Sequence, residues 1–380
     1  MRPACGADPA AAPTLSVVIC CYTTDRWDDV RAAVASVAAQ RPPVLETVVV
    51  VDHCPALERL VREQLADGTR VRAVANAERR GLSGARNTGV AEAHGEVVAF
   101  LDDDAAAEPG WAAAILAGYA RGAGVLGVGG AVLARWEGER PHWFPPEFDW
   151  VVGCSYRGGP ETATAVRNFI GANMSFRRAA LQAAGGFRTD LGRVGTRPLG
   201  CEETELCLRL TASRRDAELL HRPDAVVRHH VPPQRGTWRY FLTRCYGEGL
   251  SKAAVTARTG ASRALASERA YLRRTVPLAV TAALRPGRQW APRRALALGA
   301  GVSLTVLGYA AGTLHRLHRP APPASWVTRL RALLARRALG LATEPPATAP
   351  AESGLPVGVV AVPVLLSARP APRRRTGGGT

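Results

Sequence analysis

Three consecutive carboxylates, Asp102-Asp103-Asp104, follow directly on the apolar run Val97-Val98-Ala99-Phe100-Leu101. Acids this close repel one another, so a fold that keeps them together needs positive charge nearby, most simply a divalent cation or an arginine. Mg²⁺ and Mn²⁺ prefer carboxylate oxygen, and Mg²⁺ is usually held by one or two carboxylates plus substrate phosphates. The same acids also read as an acidic turn, with Asp104 capping a helix that runs through Glu108-Pro109-Gly110-Trp111. A second acidic group, Glu202-Glu203-Thr204-Glu205, precedes the apolar series Leu206, Leu208 and Leu210. It therefore sits at a helix start, where acids favour the positive end of the dipole. Arg86 lies in Gly81-Leu82-Ser83-Gly84-Ala85-Arg86-Asn87-Thr88-Gly89, which lacks the Gly-Lys-Ser/Thr ending of a P-loop. Either a helix N-terminus and Arg86 meet a phosphate there, or a glycine turn carries a surface arginine. His229 and His230 follow an apolar strand, a place where a histidine is more often structural than a ligand.

Such residues act together only if strands and helices bring them to one place. Residues 15–19 and 97–101 are short apolar runs bounded by turn signals, as buried strands are, and 46–51 and 71–75 read as two further strands. A run without alternation, such as 97–101, suits a parallel strand covered on both faces. Trp27, Val30, Val34 and Val37 recur at helical spacing behind Asp25, the expected N-cap. Residues 56–65 and 85–93 read as two further helices. This alternation predicts a parallel α/β sheet with Asp52 and the triple acid on one edge, at strand C-termini, where open α/β sheets bind ligands. Farther on, residues 129–150 are rich in Trp, Phe and Pro. They read as a loop with aromatic platforms facing an acceptor, or as a packed irregular connection. Residues 168–178 read as a strand and short helix stopped by Gly185-Gly186. Arg244, Glu248 and Lys252 have roughly helical spacing and are placed to close over the site.

Taken in order, residues 15–26, 48–52, 81–89 and 100–104 resemble the family 2 glycosyltransferases, and the likeness extends over residues 15–252. It implies a GT-A fold: an α/β domain that binds a nucleotide-diphosphate sugar, depends on a divalent metal (Mn²⁺ or Mg²⁺) and inverts the anomeric carbon. It places Tyr22, Arg26 and Asp52 on the nucleoside and Arg86 beside the diphosphate. Asp102 and Asp103 would face the donor. Asp102 and Asp104 are the outer acids of the family's Asp-x-Asp motif, Asp104 being the direct metal ligand, with His229 joining the metal or diphosphate. Glu202-Glu203 stands where the family has Glu-Asp, whose second acid takes the acceptor proton; Glu203 is one methylene longer. Gln234 to Trp238 lacks the arginine of the Gln-x-x-Arg-Trp motif of processive members, which favours transfer of a single sugar. The implied activity is transfer to an acceptor hydroxyl in cell-envelope glycan, glycolipid or secondary-metabolite glycosylation. Two other readings compete: a sugar-phosphate nucleotidyltransferase and a basic nucleic-acid-binding protein. The glycine-rich segment comes after the third strand, which disfavours the first.

The formal charge of +17 is unevenly spread. From Thr256 onward there are 19 arginines against Glu268, Glu344 and Glu352, a net of +16, while the first 255 residues carry 30 basic and 29 acidic side chains. A near-neutral body with a basic arm points to an anionic membrane surface and away from nucleic acid, because the arm has few aromatics after Trp326. Residues 295–314 carry no charged side chain, long enough to span a bilayer, but their four glycines and many alanines equally suit an interfacial or buried helix. Trp326, Leu330, Leu333 and Leu334 share a helical face. Eight cysteines without a CxxC pair suggest reduced thiols in a cytosolic setting. No secretory signal is evident in residues 1–14. The expected organisation is a disordered N-terminus (1–14), a GT-A domain (15–255), a helical basic membrane-associating extension (256–342) and a disordered tail (343–380). The expected location is the cytoplasm, at the inner face of the plasma membrane.

Overall fold

The computed structural model describes residues 12–192, 200–283 and 291–317. The Trp326 face, the tail from 343 and most of the N-terminal segment lie outside the described residues. The first half is a strand–helix alternation: β1 (Leu15–Cys21), α1 (Trp27–Ala38), β2 (Glu46–Val51), α2 (Pro55–Gln64), β3 (Val71–Ala75), α3 (Leu82–Glu92) and β4 (Val97–Asp102). These four strands pair in parallel, in the order β3-β2-β1-β4. Their uniform apolar character has a direct cause. Val17, Ile19, Val97, Ala99 and Leu101 pack with Val30, Val34 and Val37 of α1 on one side. Val18, Val98 and Phe100 pack with Ala85 and Val90 of α3 on the other. Each strand thus feeds two cores, and the polar side chains Ser16, Glu46, Thr47, Arg72 and Asp102 fall toward strand ends. Helix α3 lies so close to β1 that a Cβ on Gly89 would collide with Val18.

The second half departs from the predicted parallel sheet. It comprises β5 (Ala105–Ala107), α4 (Trp111–Tyr119), β6 (Val125–Trp136), β7 (Thr164–Ala165), β8 (Asn173–Arg177), α5 (Arg178–Ala184), α6 (Glu202–Ser213) and β9 (Glu218–Val231). The sheet continues β4-β8-β6-β9-β5, with β8 antiparallel to both its neighbours and β7 added beside β9. Asn173 explains part of this arrangement. Its buried amide donates to the carbonyls of Ala131 (3.0 Å) and Ala225 (2.7 Å) and accepts from Trp111 Nε1 (2.8 Å), tying β8 to β6, β9 and α4.

Helices follow: α7 (Trp238–Thr259), α8 (Ala261–Ala264), α9 (Ala266–Ala270), α10 (Val276–Ala283) and α11 (Ala291–Leu317). The boundary expected at 255/256 falls inside α7. The N-cap of α7 is Thr237, whose hydroxyl accepts from Tyr240 N–H at 3.3 Å. Asp25 does not cap α1 as expected: Thr23 caps a one-turn 3₁₀ segment ahead of it, and Asp25 Oδ2 instead accepts a hydrogen bond from the Thr23 hydroxyl. The uncharged stretch 295–314 lies within α11, which packs along α7. A Cβ on Gly249 would run into the Thr305 carbonyl, and one on Gly308 into the Tyr246 carbonyl. Pro292–Leu317 is long and apolar enough to cross a membrane, its most apolar 18-residue stretch having a mean hydropathy of 1.6. One side of it meets the domain through Ala297 and Leu298, while Leu296, Val306, Leu307, Leu314 and Leu317 are exposed.

Candidate active site

The parallel half of the sheet delivers its acids to one edge. Asp52, the residue after β2, is buried, and its two oxygens accept from Asn76 Nδ2 (2.7 Å) and the Gly81 N–H (2.9 Å). Asn76 Oδ1 in turn accepts from Thr88 Oγ1 at 2.8 Å. A single carboxylate therefore fixes the loops after β2 and β3 and the start of α3. Tyr22, just beyond β1, is exposed, and the Arg26 guanidinium lies 5.5 Å from its ring centroid. An exposed ring beside a buried carboxylate is a pairing that suits a nucleoside, the ring for the base and the acid for a ribose hydroxyl.

Arg86 is only 2% exposed, which overturns the surface-arginine reading. Its Nη1 donates to Glu202 Oε1 at 2.8 Å, and its Nη2 reaches Asp102 Oδ1 at 3.4 Å and the Gly171 carbonyl at 3.3 Å. The other two acids have their own cations. Arg26 Nη1 lies 3.0 Å from Asp103 Oδ1 and 3.2 Å from Asp104 Oδ2. Arg235 Nη2 donates to the same Asp104 oxygen at 3.1 Å, and His229 Nε2 lies 3.1 Å from Asp104 Oδ1. Asp104 therefore does not cap a helix; α4 begins after Gly110, at a φ of +86°. Backbone register explains the histidine. β5 runs antiparallel to β9 with Ala105 opposite His229, and the His230 N–H donates to the Asp104 carbonyl at 2.7 Å. The ladder sets the imidazole beside the carboxylate.

Burial works against ionising Asp104, but His229, then Arg235 and Arg26, outweigh it and hold this carboxyl far below the usual range. Asp103 moves the other way, raised by burial and then by the charge on Asp104, with Arg26 opposing. Its Oδ2 is buried and finds no hydrogen-bond partner among the described residues. Ligand atoms of Asp102, Asp104 and His229 lie within 4.8 Å of one another. Two carboxylate oxygens and an imidazole nitrogen, with an orphaned acid oxygen beside them, fit a divalent cation such as Mn²⁺.

The second acidic group divides into three roles. Glu202, first in α6, is buried; Arg86 occupies its Oε1, and its Oε2 has no hydrogen-bond partner among the described residues. Glu203 is half-buried and lines the cavity. Burial and then the charge of Glu202 push its carboxyl up to about 8, against the pull of its own N–H and of Arg86. Glu205 points elsewhere and pairs with Arg209 at 2.8 Å. One cavity of about 790 Å³ is lined by Tyr22, Asp52, Arg86, Asp104, Glu203 and His229 together. That is room for more than one compact ligand.

Residues 16–185 match the family model described as Glycosyl transferase family 2. Glucosyl-dolichyl phosphate glucuronosyltransferase of Haloferax volcanii is 34% identical over 238 residues, covering 63% of this chain and 76% of that protein. The chain belongs to glycosyltransferase family 2. It is an enzyme that transfers a sugar from a nucleotide sugar, on the GT-A fold. Among solved structures, a mannosyltransferase from Pyrobaculum calidifontis in complex with GDP-Man and Mn²⁺ is 20% identical with a TM-score of 0.46, covering 86% of this chain and 82% of that one. S. aureus TarS residues 1–349 with UDP-GlcNAc is 16% identical with a TM-score of 0.46, covering 86% and 92%.

All the residues singled out in this family 2 chain from its sequence, Tyr22, Arg26, Asp52, Arg86, Asp102, Asp103, Asp104, Glu202, Glu203 and His229, line the one cavity. Arg244, Glu248 and Lys252 of α7 line it too. Arg235 was not among the residues expected at the site. The place before Trp238 lacks an arginine, but Arg235, two residues earlier than that place, is buried against Asp104. The signal was the cluster Pro-Pro-Gln-Arg one residue after the histidine pair. The aromatic-rich stretch is chiefly packed: Phe144 and Phe148 are buried, and Trp143 stacks on Trp238 at 4.1 Å and 11°. Phe148 and Trp150 nevertheless face the cavity.

Proposed function

We propose that this family 2 enzyme is metal-dependent and inverting, and that it adds a single sugar to a hydroxyl of a lipid-linked acceptor at the inner face of the plasma membrane. The observation that carries the reading is the convergence of Asp102, Asp104 and His229 with Glu203 in one cavity. Asp102, Asp104 and His229 would hold Mn²⁺ or Mg²⁺, which when bound neutralises charge on the leaving diphosphate. Tyr22, Arg26 and Asp52 take the nucleoside, and Arg86 keeps Asp102 and Glu202 in place. Glu203 takes the proton of the acceptor hydroxyl; a carboxyl raised toward neutrality suits a general base. Attack and departure occur on opposite faces of the sugar, so the anomeric centre inverts, as in an inverting hydrolase. The Haloferax relative acts, by its name, on a glucosyl-dolichyl phosphate, and that supports a lipid-linked acceptor. Exposed leucines on α11 and the basic residues around it support attachment to an anionic bilayer. Free thiols at Cys20, Cys21, Cys54, Cys154, Cys201, Cys207 and Cys245 support the cytoplasmic side.

The test uses the full chain with a panel of nucleotide sugars and a glycolipid in mixed micelles. Nucleoside diphosphate should be released fastest when metal and glycolipid are both present, and the product should have the opposite anomeric configuration to the donor. Retained configuration, or release indifferent to metal, would sink the mechanism. Co-sedimentation with vesicles containing anionic lipid tests attachment, and a chain that stays in solution at low salt defeats that part.

A further inference from the structure

Across the cavity from the strand edge lies an ion cluster with no part in the mechanism above. Arg167 precedes β8, Lys252 lies on α7 and Glu268 on α9. Arg167 Nη2 donates to Glu268 Oε1 at 2.9 Å, and Lys252 Nζ reaches the same oxygen at 2.6 Å. Arg167 Nη1 takes Oε2 at 2.5 Å and also the Ala264 carbonyl. Two cations thus converge on one carboxylate in the wall of the cavity. Burial opposes ionisation of Glu268, but Lys252 and Arg167 prevail and hold it at about 2. The second partner of Lys252 is Glu248 Oε1 at 2.9 Å, and the Cys201 thiol donates to that oxygen at 3.6 Å. The cluster is therefore joined to the residue two places before Glu203. Beside it the wall turns apolar at Leu272 of the α9–α10 link and at Val302 and Val306 of α11. Leu272 and Val306 are exposed, so this wall runs out to the leucine-bearing face of α11.

We propose that Arg167 and Lys252 are the binding site for a phosphate ester on an amphiphilic acceptor, with Glu268 holding their place until the acceptor arrives and the acceptor's hydrocarbon lying along Leu272 and Val306. This rests on the lipid-linked acceptor argued above and assigns the residues that read it. A guanidinium fork and an ammonium on a shared anion are a phosphate-binding arrangement. Exchanging one anion for another keeps both cations paired. A neutral amphiphile has no anion to exchange and leaves Glu268 where it is.

Lys252 is the only lysine in the chain, so amine labelling read by peptide mass reports on this site. The probe is decyl phosphate below its micellar concentration, against decanol and inorganic phosphate, on the full chain with nucleoside diphosphate and Mn²⁺. Decyl phosphate should slow labelling of Lys252 about fivefold, decanol should not, and inorganic phosphate should protect only weakly. Glu268→Gln, which removes the resident anion, should tighten decyl phosphate binding roughly tenfold, the scale of one charge-assisted hydrogen bond. Equal protection by decyl phosphate and decanol overturns the phosphate site. Equal protection by inorganic phosphate assigns a free-anion site and overturns the amphiphile. Weaker decyl phosphate binding by Glu268→Gln makes Glu268 a brace and overturns its displacement. Should that variant fail to fold, labelling of the unaltered chain decides alone. Stabilisation by nucleoside diphosphate with Mn²⁺ is measured on the same samples. If it is kept while Lys252 goes unprotected, only this inference falls; if it is absent, the transferase reading of the site falls.

Discussion

At the strand edge, Asp52, Asp102 and Asp104 are held by backbone ladders and by partners from neighbouring strands, from α3 and from the turns beside them. Across the cavity, Arg167 meets Glu268 over a separation of 101 residues, and the contact consists of side chains alone. The two walls differ in what fixes them. A ladder register cannot slip by one residue without turning a strand inside out, so the position of His229 against Asp104 is as firm as the sheet. An ion pair between a loop and a five-residue helix can exchange partners at little cost to the fold. The rigid wall suits the part of the reaction where charge develops, which rewards preorganisation. The exchangeable wall suits a second substrate. If this contrast is right, changes at the strand edge should abolish function outright, and changes farther out should grade it.

The sharpest break is Asp104→Ala. It removes one of the three proposed metal ligands and leaves His229, Arg26 and Arg235 facing one another without their shared carboxylate. We expect complete loss of the Mn²⁺-dependent rise in melting temperature that a nucleoside diphosphate gives the unaltered chain, a rise that follows from binding to the native state. A variant that keeps the full rise would show that the metal is not held here.

Next in size is Glu203→Gln, which keeps the shape and loses the proton acceptor. Turnover should fall by about a hundred- to ten-thousand-fold, with donor and metal binding nearly unchanged. The unaltered enzyme should gain kcat/KM as pH rises through about 8, because the carboxyl is raised to that value and acts as a base only when ionised. If Glu203→Gln turns over normally and Glu202→Gln is dead, the base is the neighbour. That outcome would conflict with the Arg86 guanidinium already on one oxygen of Glu202.

Arg86→Met tests whether the ties at the edge are structural as well. It strands the buried Glu202 and weakens the cover on Asp102. Removing one member of a buried pair costs about 3–5 kcal/mol, and chemical denaturation should read a loss of that order. A loss within experimental error would mean that solvent reaches this pair.

The same contrast separates what could be read in the sequence from what could not. Strands 46–51 and 71–75 have the bounds expected from the sequence, because their valines divide between the two cores. The acids follow the strands directly, so their common edge was legible once the alternation was seen. The direction of β8 was not, since Asn173 secures it through carbonyls at Ala131 and Ala225, far away in sequence. Lys252 was expected near the site from its helical spacing with Arg244 and Glu248, but its partners Arg167 and Glu268, like the role of Arg235, were hidden. Each is a charged residue in an unremarkable stretch, given meaning by a partner at least 16 residues away. The N-cap at Asp25 failed for a local reason, competition with the Thr23 hydroxyl two residues earlier.

The smallest effect is expected at Glu205, and it calibrates the others because it shares a helix turn with the proposed base but not the cavity. From sequence it reads as an acid at a helix start, worth about 0.3–1 kcal/mol. The structure raises that figure. Glu205 is buried and accepts from Arg209 Nε (3.1 Å) and Nη2 (2.8 Å), while Nη2 also donates to the Gly186 carbonyl at 2.8 Å and Nη1 to that of Ala184. The pair thus staples α6 to the end of α5. Glu205→Gln keeps one acceptor oxygen for Arg209 and loses the charge. Because Arg209 is partly exposed, the full cost of a buried charged hydrogen bond, about 1.5–3 kcal/mol, is an upper bound, and we expect about 1–2 kcal/mol of lost stability with transfer activity intact. A loss of activity larger than the loss of folded protein would mean that α6 transmits strain from Glu205 to Glu203. The acidic group would then act as one unit, and the division between a rigid catalytic edge and its supports would have to be redrawn.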